Sequence, residues 1–254
     1  MTRTLDLNCD MGESFGAFSL GEDAAMLDLV TSANVACGFH AGDPVVMRRT
    51  IRMAKARGVR VGAHPSFADL YGFGRRRISG ERPEDLETQL IYQIVALQGI
   101  CALEGHPMTH VKPHGALYNM AAEDADLAAL CVRAVRAVDP GLVLVTMPYS
   151  ETQRAAEAAG LATAGEVFAD RSYGADGMLT PRSAPGAVIH DPGKACDQVL
   201  EMVLNNRIPT TAGGWLPVSA QTLCLHGDTP GAVEICRTLR AALEAAGVQI
   251  APFV

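Results

Sequence analysis

The sequence has no paired cysteines, no excess of positive charge and few aromatic rings. Its seven cysteines (9, 37, 101, 131, 196, 224 and 236) are odd in number and never fall into a CxxC spacing. That argues against a disulfide framework or a structural zinc knuckle. They read as small apolar core residues of a protein kept in a reducing cytosol. Lys and Arg total 21 against 28 Asp and Glu, a net charge of −7, so nothing favours nucleic acid, which calls for a basic patch. No apolar h-region precedes Asp6 and Asp10 in MTRTLDLNCD, and no run of about 18 apolar residues stands out. Neither a signal peptide nor a membrane span is expected, and the expected location is cytoplasmic.

Standard phosphate and nucleophile motifs are also missing. GFGRRR (72–77) lacks a third glycine and does not lead from a strand into a helix, and PGKA (192–195) lacks the rest of a P-loop. There is no GxSxG elbow, which leaves Ser14, Ser66 and Ser172 as weak nucleophile candidates. The short basic run Arg75–Arg77 reads as a solvated loop or an anion contact.

What is present is an alternation of short β-like runs with longer helical ones. Strands are predicted at Thr4–Cys9, Ala33–Cys37, Val59–Ala63, Met108–Lys112, Leu142–Met147, Thr163–Phe168 and Gln221–Leu225. Helices are predicted near 22–31, 44–57, 83–103, 123–138, 150–159, 192–206 and 230–246. Asp43-Pro44 and Asp191-Pro192 carry the N-cap and first-turn proline signals, and Gly58, Gly160 and Gly247 suit helix C-termini. Repeated β-then-α with short loops implies a parallel sheet. With about 48% hydrophobic residues and no linker or repeat, residues 1–254 read as one α/β domain of seven or eight βα units. A closed barrel fits better than a doubly wound sheet, because polar residues recur at nearly every strand end. The irregular stretch 170–191 is long enough to be a functional loop or a lid.

Successive strand residues point to opposite faces, and the split is consistent. Asp6, Asn8 and Asp10 share a face, with Leu5, Leu7 and Cys9 on the other. Asn34, Ala36, Gly38 and His40 form one set. His110, Lys112 and His114 alternate with Val111 and Pro113. His64 lies opposite Val61 and Ala63, Glu166 shares a face with Asp170, and His226 and Asp228 lie opposite Leu223 and Leu225. In a parallel barrel the polar faces converge at the C-terminal mouth, where barrel active sites sit. A lone histidine at a strand end is more often a hydrogen-bonded structural residue; several on separate strands are harder to dismiss. His106 and His190 read as turn and cap neighbours, and Phe39, Phe67 and Phe73 as loop packing. Two chemistries suit such a mouth. Carboxylate and histidine can activate water with Lys or Arg holding an anion. Alternatively, Asp10, His40, His64 and His114 can hold a divalent metal that generates hydroxide.

The stretches DLNCDMGE (6–13), SANVACGFHAGD (32–43), GAHPSF (62–67), HVKPHGALYN (110–119), EVFADRSYGADGMLTPR (166–182) and QTLCLHGD (221–228) closely resemble the LamB/YcsF family. The resemblance spans about residues 5–228. It implies a seven-stranded parallel β/α barrel of the glycoside hydrolase/deacetylase type. It also implies the activity of one component of a prokaryotic ATP-dependent 5-oxoprolinase, which opens 5-oxoproline to L-glutamate. ATP with Mg²⁺ as its counter-ion, and partner subunits B and C, follow from it as expectations. On this reading Asp10, His64, His114 and Lys112 are the catalytic set, with Asp10 as general base. Asn8, Glu13, His40, Asp43, His110, Asp170, Arg171, Arg182 and His226 are the candidates for holding substrate or phosphate. The alternatives are a stand-alone metal hydrolase of amides or N-acetyl groups and a non-catalytic substrate-binding subunit.

Overall fold

The computed structural model describes residues 3–225 and 231–254. In chain order its elements are β1 Arg3–Met11, α1 Asp23–Met26, β2 Ser32–Ala36, α2 Pro44–Arg57, β3 Arg60–His64, α3 Pro83–Leu103 and β4 Met108–Val111. Then follow α4 Gly115–Glu123, α5 Ala125–Val138, β5 Val143–Thr146, α6 Glu151–Ala158, β6 Thr163–Phe168 and α7 Pro192–Leu204. The chain ends with β7 Arg207–Pro209, β8 Trp215–Pro217, β9 Thr222–Leu225, α8 Ala232–Ala245 and β10 Val248–Ile250.

Seven parallel strands close into a barrel in the order β1-β2-β3-β4-β5-β6-β9, and β9 returns to β1. Strand β1 is long enough to serve two partners. Its Asp6–Cys9 segment pairs with β9 and closes the barrel, while Arg3–Leu5 pairs with β10 at the base. All seven predicted strands are present, shifted by at most two residues at either end. Their outward residues Leu5, Leu7, Cys9, Val35, Val61, Val111, Leu144, Val167 and Leu223 are buried in one cluster with Ile51, Leu97, Val135, Val199 and Leu239 from the helices. Removing this apolar face from water is the main force that favours the barrel. Six of the seven cysteines are buried; five pack as small apolar side chains, and the sixth, Cys224, lies beside Lys112 Nζ.

Several elements differ from the sequence reading. The predicted helix 123–138 is α5, capped by Asp124, whose carboxylate accepts from Asp126 N and Leu127 N; α4, directly before it, is an additional helix. The first predicted helix, 22–31, is a single turn. The antiparallel β7–β8 hairpin and β10 are additional. Helix α3, at 21 residues, is by length and composition apolar enough to cross a membrane, which a search for an unbroken apolar run does not find. Here it packs on β3, β4 and α5 through Leu86, Leu90, Ile94, Leu97 and Cys101. The stretch 170–191 carries only isolated bridges, Arg171 to Val188, Tyr173 to Leu179 and Tyr173 to Thr210.

Candidate active site

Parallel barrels usually fill their interior with branched apolar side chains. This one is filled with polar groups. Asn34 Nδ2 donates to Asn8 Oδ1 (2.7 Å) and Asp10 Oδ1 (2.9 Å), and Asn8 Nδ2 donates to Thr222 Oγ1 (2.7 Å) and Glu166 Oε1 (3.1 Å). Below them Asp6 accepts from the hydroxyls of Thr31, Ser32 and Thr222. Burial pushes the Asp6 carboxyl up to about 6, against the lowering effect of those hydroxyls. His110 Nε2 is 3.0 Å from Asn34 Oδ1, and its ring packs edge-on against Phe253 of the C-terminal tail. Burial and the Lys112 charge lower its pKa to about 3. The interior accommodates that ring only because residue 62 is glycine: a Cβ there would stand 2.2 Å from His110 Cδ2.

Lys112 is the axis of the next layer. Its Nζ lies 2.7 Å from Glu166 Oε1, 3.0 Å from Asp10 Oδ1, 3.2 Å from Asn8 Oδ1 and 3.1 Å from Cys224 Sγ. An ammonium has three donors, so all are engaged. Burial opposes the charge, but Asp10, Cys224 and Glu166 hold the Lys112 pKa well above its ordinary value. Reciprocally, burial would raise Asp10, yet His64 and Lys112 hold it well below the carboxylate range. The sequence places Glu166 on a polar face without giving it a role. Here it is the second counter-ion of Lys112, and the Tyr118 hydroxyl, its pKa raised by burial and Glu166, faces it.

At the mouth three histidines and a glutamate converge. His64 leaves the end of β3, its Nδ1 donating to Lys112 O at 2.7 Å and its Nε2 lying 3.2 Å from Asp10 Oδ2. His114 reaches the mouth as the residue that opens helix α4, not as part of β4, which ends at Val111. Its Nε2 donates to Phe73 O (2.9 Å) and its Nδ1 is 2.9 Å from His64 Nε2. His40 stacks on His114 with centroids 3.8 Å apart and rings 6° from parallel, and its Nε2 is 3.2 Å from Glu13 Oε1. Burial and the neighbouring histidines lower His114 to about 3 and His40 well below its ordinary value. One ligand atom from each of Glu13, His40, His64 and His114 lies within 4.8 Å of the other three. The four could hold a divalent metal ion; the geometric set takes Glu13 where the sequence reading takes Asp10.

The mouth opens into a pocket of about 360 Å³, lined by Asp10, His64, Lys112 and His114 at its floor. Its walls carry four guanidinium groups, Arg75, Arg77, Arg171 and Arg182, with Tyr118, Asn119 and Phe168 between them. Glu123 offsets one of them, 3.4 Å from Arg77. On a chain of net charge −7 this is a local positive field, suited to a small anion. Arg171 is spent on its own loop, donating to Ala187 O and Thr180 O, and burial and Arg182 lower its pKa. Arg182 has no hydrogen bond or ion pair among the described residues.

The remaining candidates lie elsewhere. Asp43 caps α2, accepting from Val45 N and Val46 N, and also ties down Gly16 N. Asn8 and His110 sit beneath the mouth, inside the bonded interior. Asp170 opens the 170–191 loop. His226 falls outside the described residues.

Fold and site together define a parallel β/α-barrel protein with a metal-competent His/Glu cluster under an arginine-lined pocket. The chain belongs to the LamB/YcsF family, whose model matches residues 5–254. It is 52% identical, over 99% of its length and 98% of the relative's, to a Bradyrhizobium diazoefficiens protein named as an A subunit of 5-oxoprolinase. It is 54% identical to the A subunit of 5-oxoprolinase from Geobacillus kaustophilus, over 98% of this chain and 96% of that one. Among solved structures, the lactam utilization protein of Thermus thermophilus superposes with a TM-score of 0.92 at 47% identity, covering 98% of this chain and 99% of that one.

Proposed function

We propose that this chain is the A component of an ATP-dependent 5-oxoprolinase, working in the cytoplasm with partner subunits B and C. The overall reaction is 5-oxo-L-proline + ATP + 2 H₂O → L-glutamate + ADP + phosphate, with Mg²⁺ accompanying the nucleotide. A five-membered lactam is a poor electrophile that recloses readily, which is the reason for coupling its opening to ATP. The observation that carries the reading is the meeting of an ionised, pocket-facing Asp10 with two histidines beneath an arginine wall.

In this reading Asp10 is the general base. Lys112 and Asn34 fix its Oδ1, and Oδ2, 3.2 Å from His64 Nε2, takes a proton from water attacking the ring carbonyl carbon. Lys112 pairs with Asp10 and Glu166 and does not bind substrate, because its donors are used. His64 and His114, 2.9 Å apart, either pass that proton to the ring nitrogen as the C–N bond breaks or, with Glu13 and His40, hold a metal ion; the same nitrogens do not do both. Arg182, with Arg75 and Arg77 of the same pocket lining, holds the substrate carboxylate or a phosphoryl group, Arg being suited to bidentate contact. A divalent ion in the Glu13/histidine cluster would supply Lewis acidity toward water and the developing oxyanion.

The test is glutamate release from 5-oxoproline with ATP and Mg²⁺, by the purified chain alone and mixed with its presumed partner subunits. Glutamate in the mixture only is the expected result; none in either, with partners proven active beside another A component, refutes the reading. Asp10→Asn is expected to lower turnover by about 10²–10⁴-fold, the range of a general base, with an unchanged far-UV circular dichroism spectrum. Turnover within twofold of wild type would remove Asp10 from the mechanism.

A further inference from the structure

Two ring nitrogens at the mouth face each other, and each has its partner nitrogen committed. His64 Nδ1 lies 2.7 Å from the carbonyl oxygen of Lys112, and His114 Nε2 lies 2.9 Å from that of Phe73. A carbonyl only accepts, so both of those nitrogens carry hydrogen. In neutral rings His64 Nε2 and His114 Nδ1 are therefore bare lone pairs, and they stand 2.9 Å apart. Lone pairs at that separation repel unless a cation joins them. A far nitrogen anchored to a backbone carbonyl is also the arrangement that orients metal-ligating histidines.

The surroundings select the cation. Glu13 Oε1 is 3.8 Å from His114 Nδ1 and 3.2 Å from His40 Nε2, and the four donor atoms all lie within 4.8 Å of one another. A tetrahedral ion with bonds of about 2.0–2.2 Å spaces its donors roughly 3.3–3.6 Å apart, within that range. The rings are also held in place from above. A Cβ on Gly74 would stand 2.7 Å from His114 Cδ2 and 2.8 Å from His40 Cβ, and Phe73 packs edge-on against both rings. Asp10 is engaged differently: its Oδ1 accepts from Lys112 and Asn34, its Oδ2 lies 3.2 Å from His64 Nε2, and it stands outside the four-atom set. Three imidazoles and one carboxylate suit Zn²⁺, Co²⁺ or Ni²⁺, whereas Mg²⁺ and Ca²⁺ demand more oxygen ligands.

We propose that Glu13, His40, His64 and His114 form a binding site for one borderline divalent transition metal, zinc or a neighbour, with Asp10 left outside its coordination sphere. This assignment does not depend on the ring-opening reading, and it is tested without substrate. The untagged full chain is stripped with chelator and titrated with Co²⁺. The expected result is one equivalent bound, with visible bands of a tetrahedral N/O site, displaced by stoichiometric Zn²⁺ but not by about a thousandfold excess of Mg²⁺. His64→Gln and His114→Gln should each weaken binding by roughly a hundredfold or more. Asp10→Asn should retain the full equivalent, as should His106→Gln, whose ring is bonded to Val59 O at the barrel base. Binding well short of one equivalent, displacement by Mg²⁺, or histidine variants that bind like wild type would each overturn the site. Loss of the equivalent in Asp10→Asn would overturn the ligand set. If the histidine variants do not fold, proton NMR of the Co²⁺-loaded wild type decides. Three shifted imidazole N–H signals are expected, and fewer would refute the three-histidine set. Co²⁺ binding without ring opening would count against the oxoprolinase reading alone, and ring opening without Co²⁺ binding would count against this site alone.

Discussion

The barrel interior and the barrel mouth are built from the same residue types but resolve them differently. In the interior, Asn8, Asn34, His110 and Thr222 bond to one another around Asp6 and Glu166, and Lys112 uses all three donors. At the mouth, His64 and His114 present facing lone pairs, and Arg182 has no partner among the described residues. A satisfied buried network rigidifies a fold, while an unsatisfied one needs another explanation. Interior substitutions should therefore be read in stability and mouth substitutions in binding and turnover.

The largest expected break is at Lys112, which joins the two regions. Lys112→Met would leave Asp10 and Glu166 buried without their shared cation. Removing one partner of a buried ion pair costs about 3–5 kcal/mol, and chemical denaturation should show a loss of that size. A loss under about 1 kcal/mol would mean the cation is not holding the carboxylates.

Asp6 sharpens the comparison through pH. Its carboxyl is raised from 3.8 to about 6 by burial, with the Glu166 charge adding to the rise. For an acid raised in the folded state, the native chain binds the extra proton between those values. Its stabilising contribution is thus complete below about pH 4 and is lost as pH climbs through about 6, by roughly 3 kcal/mol in all. Asp6→Asn removes this dependence, so the stability of the variant relative to wild type should grow between pH 4 and pH 7. A difference that does not change with pH would refute the shift.

Gly62→Ala tests the close packing of the interior. Its Cβ would collide with the His110 ring, and overpacking of this kind costs about 1–3 kcal/mol or more. The double variant Gly62→Ala/His110→Ala should recover part of the sum of the two single losses, a coupling expected only of residues in contact. Strict additivity would show that the ring is not what excludes the methyl group.

These contrasts also mark what the sequence could disclose. Period-two alternation was enough for all seven barrel strands, because each has an apolar face toward the helices and a polar face inward. It also placed Asp10, His40, His64 and His114 toward one end. It could not separate interior from mouth, since His110 and His114 share a predicted face although one lies under Asn34 and the other opens α4. Helix α4 escaped notice because Pro113 and Gly115 stand at its start, yet Gly115 at φ +56° is the turn into it. Glu166 gave no signal as the partner of Lys112, because pairing between distant strands depends on barrel register.

The smallest effect separates two arginines of one loop. Arg171 is buried and donates to Thr180 O and Ala187 O, whereas Arg182 is exposed on the pocket wall. If Arg182 holds the substrate anion throughout the reaction, Arg182→Ala should raise KM about tenfold with kcat nearly unchanged, the signature of uniform binding. That corresponds to about 1.4 kcal/mol, the low end for a charge-assisted hydrogen bond. Arg171→Ala should instead lower thermal stability, because the loop loses its internal ties. If Arg182→Ala lowered kcat and left KM alone, Arg182 would bind only the transition state and belong with the catalytic floor. If neither parameter moved, the anion would be held by Arg75 and Arg77, which line the same pocket.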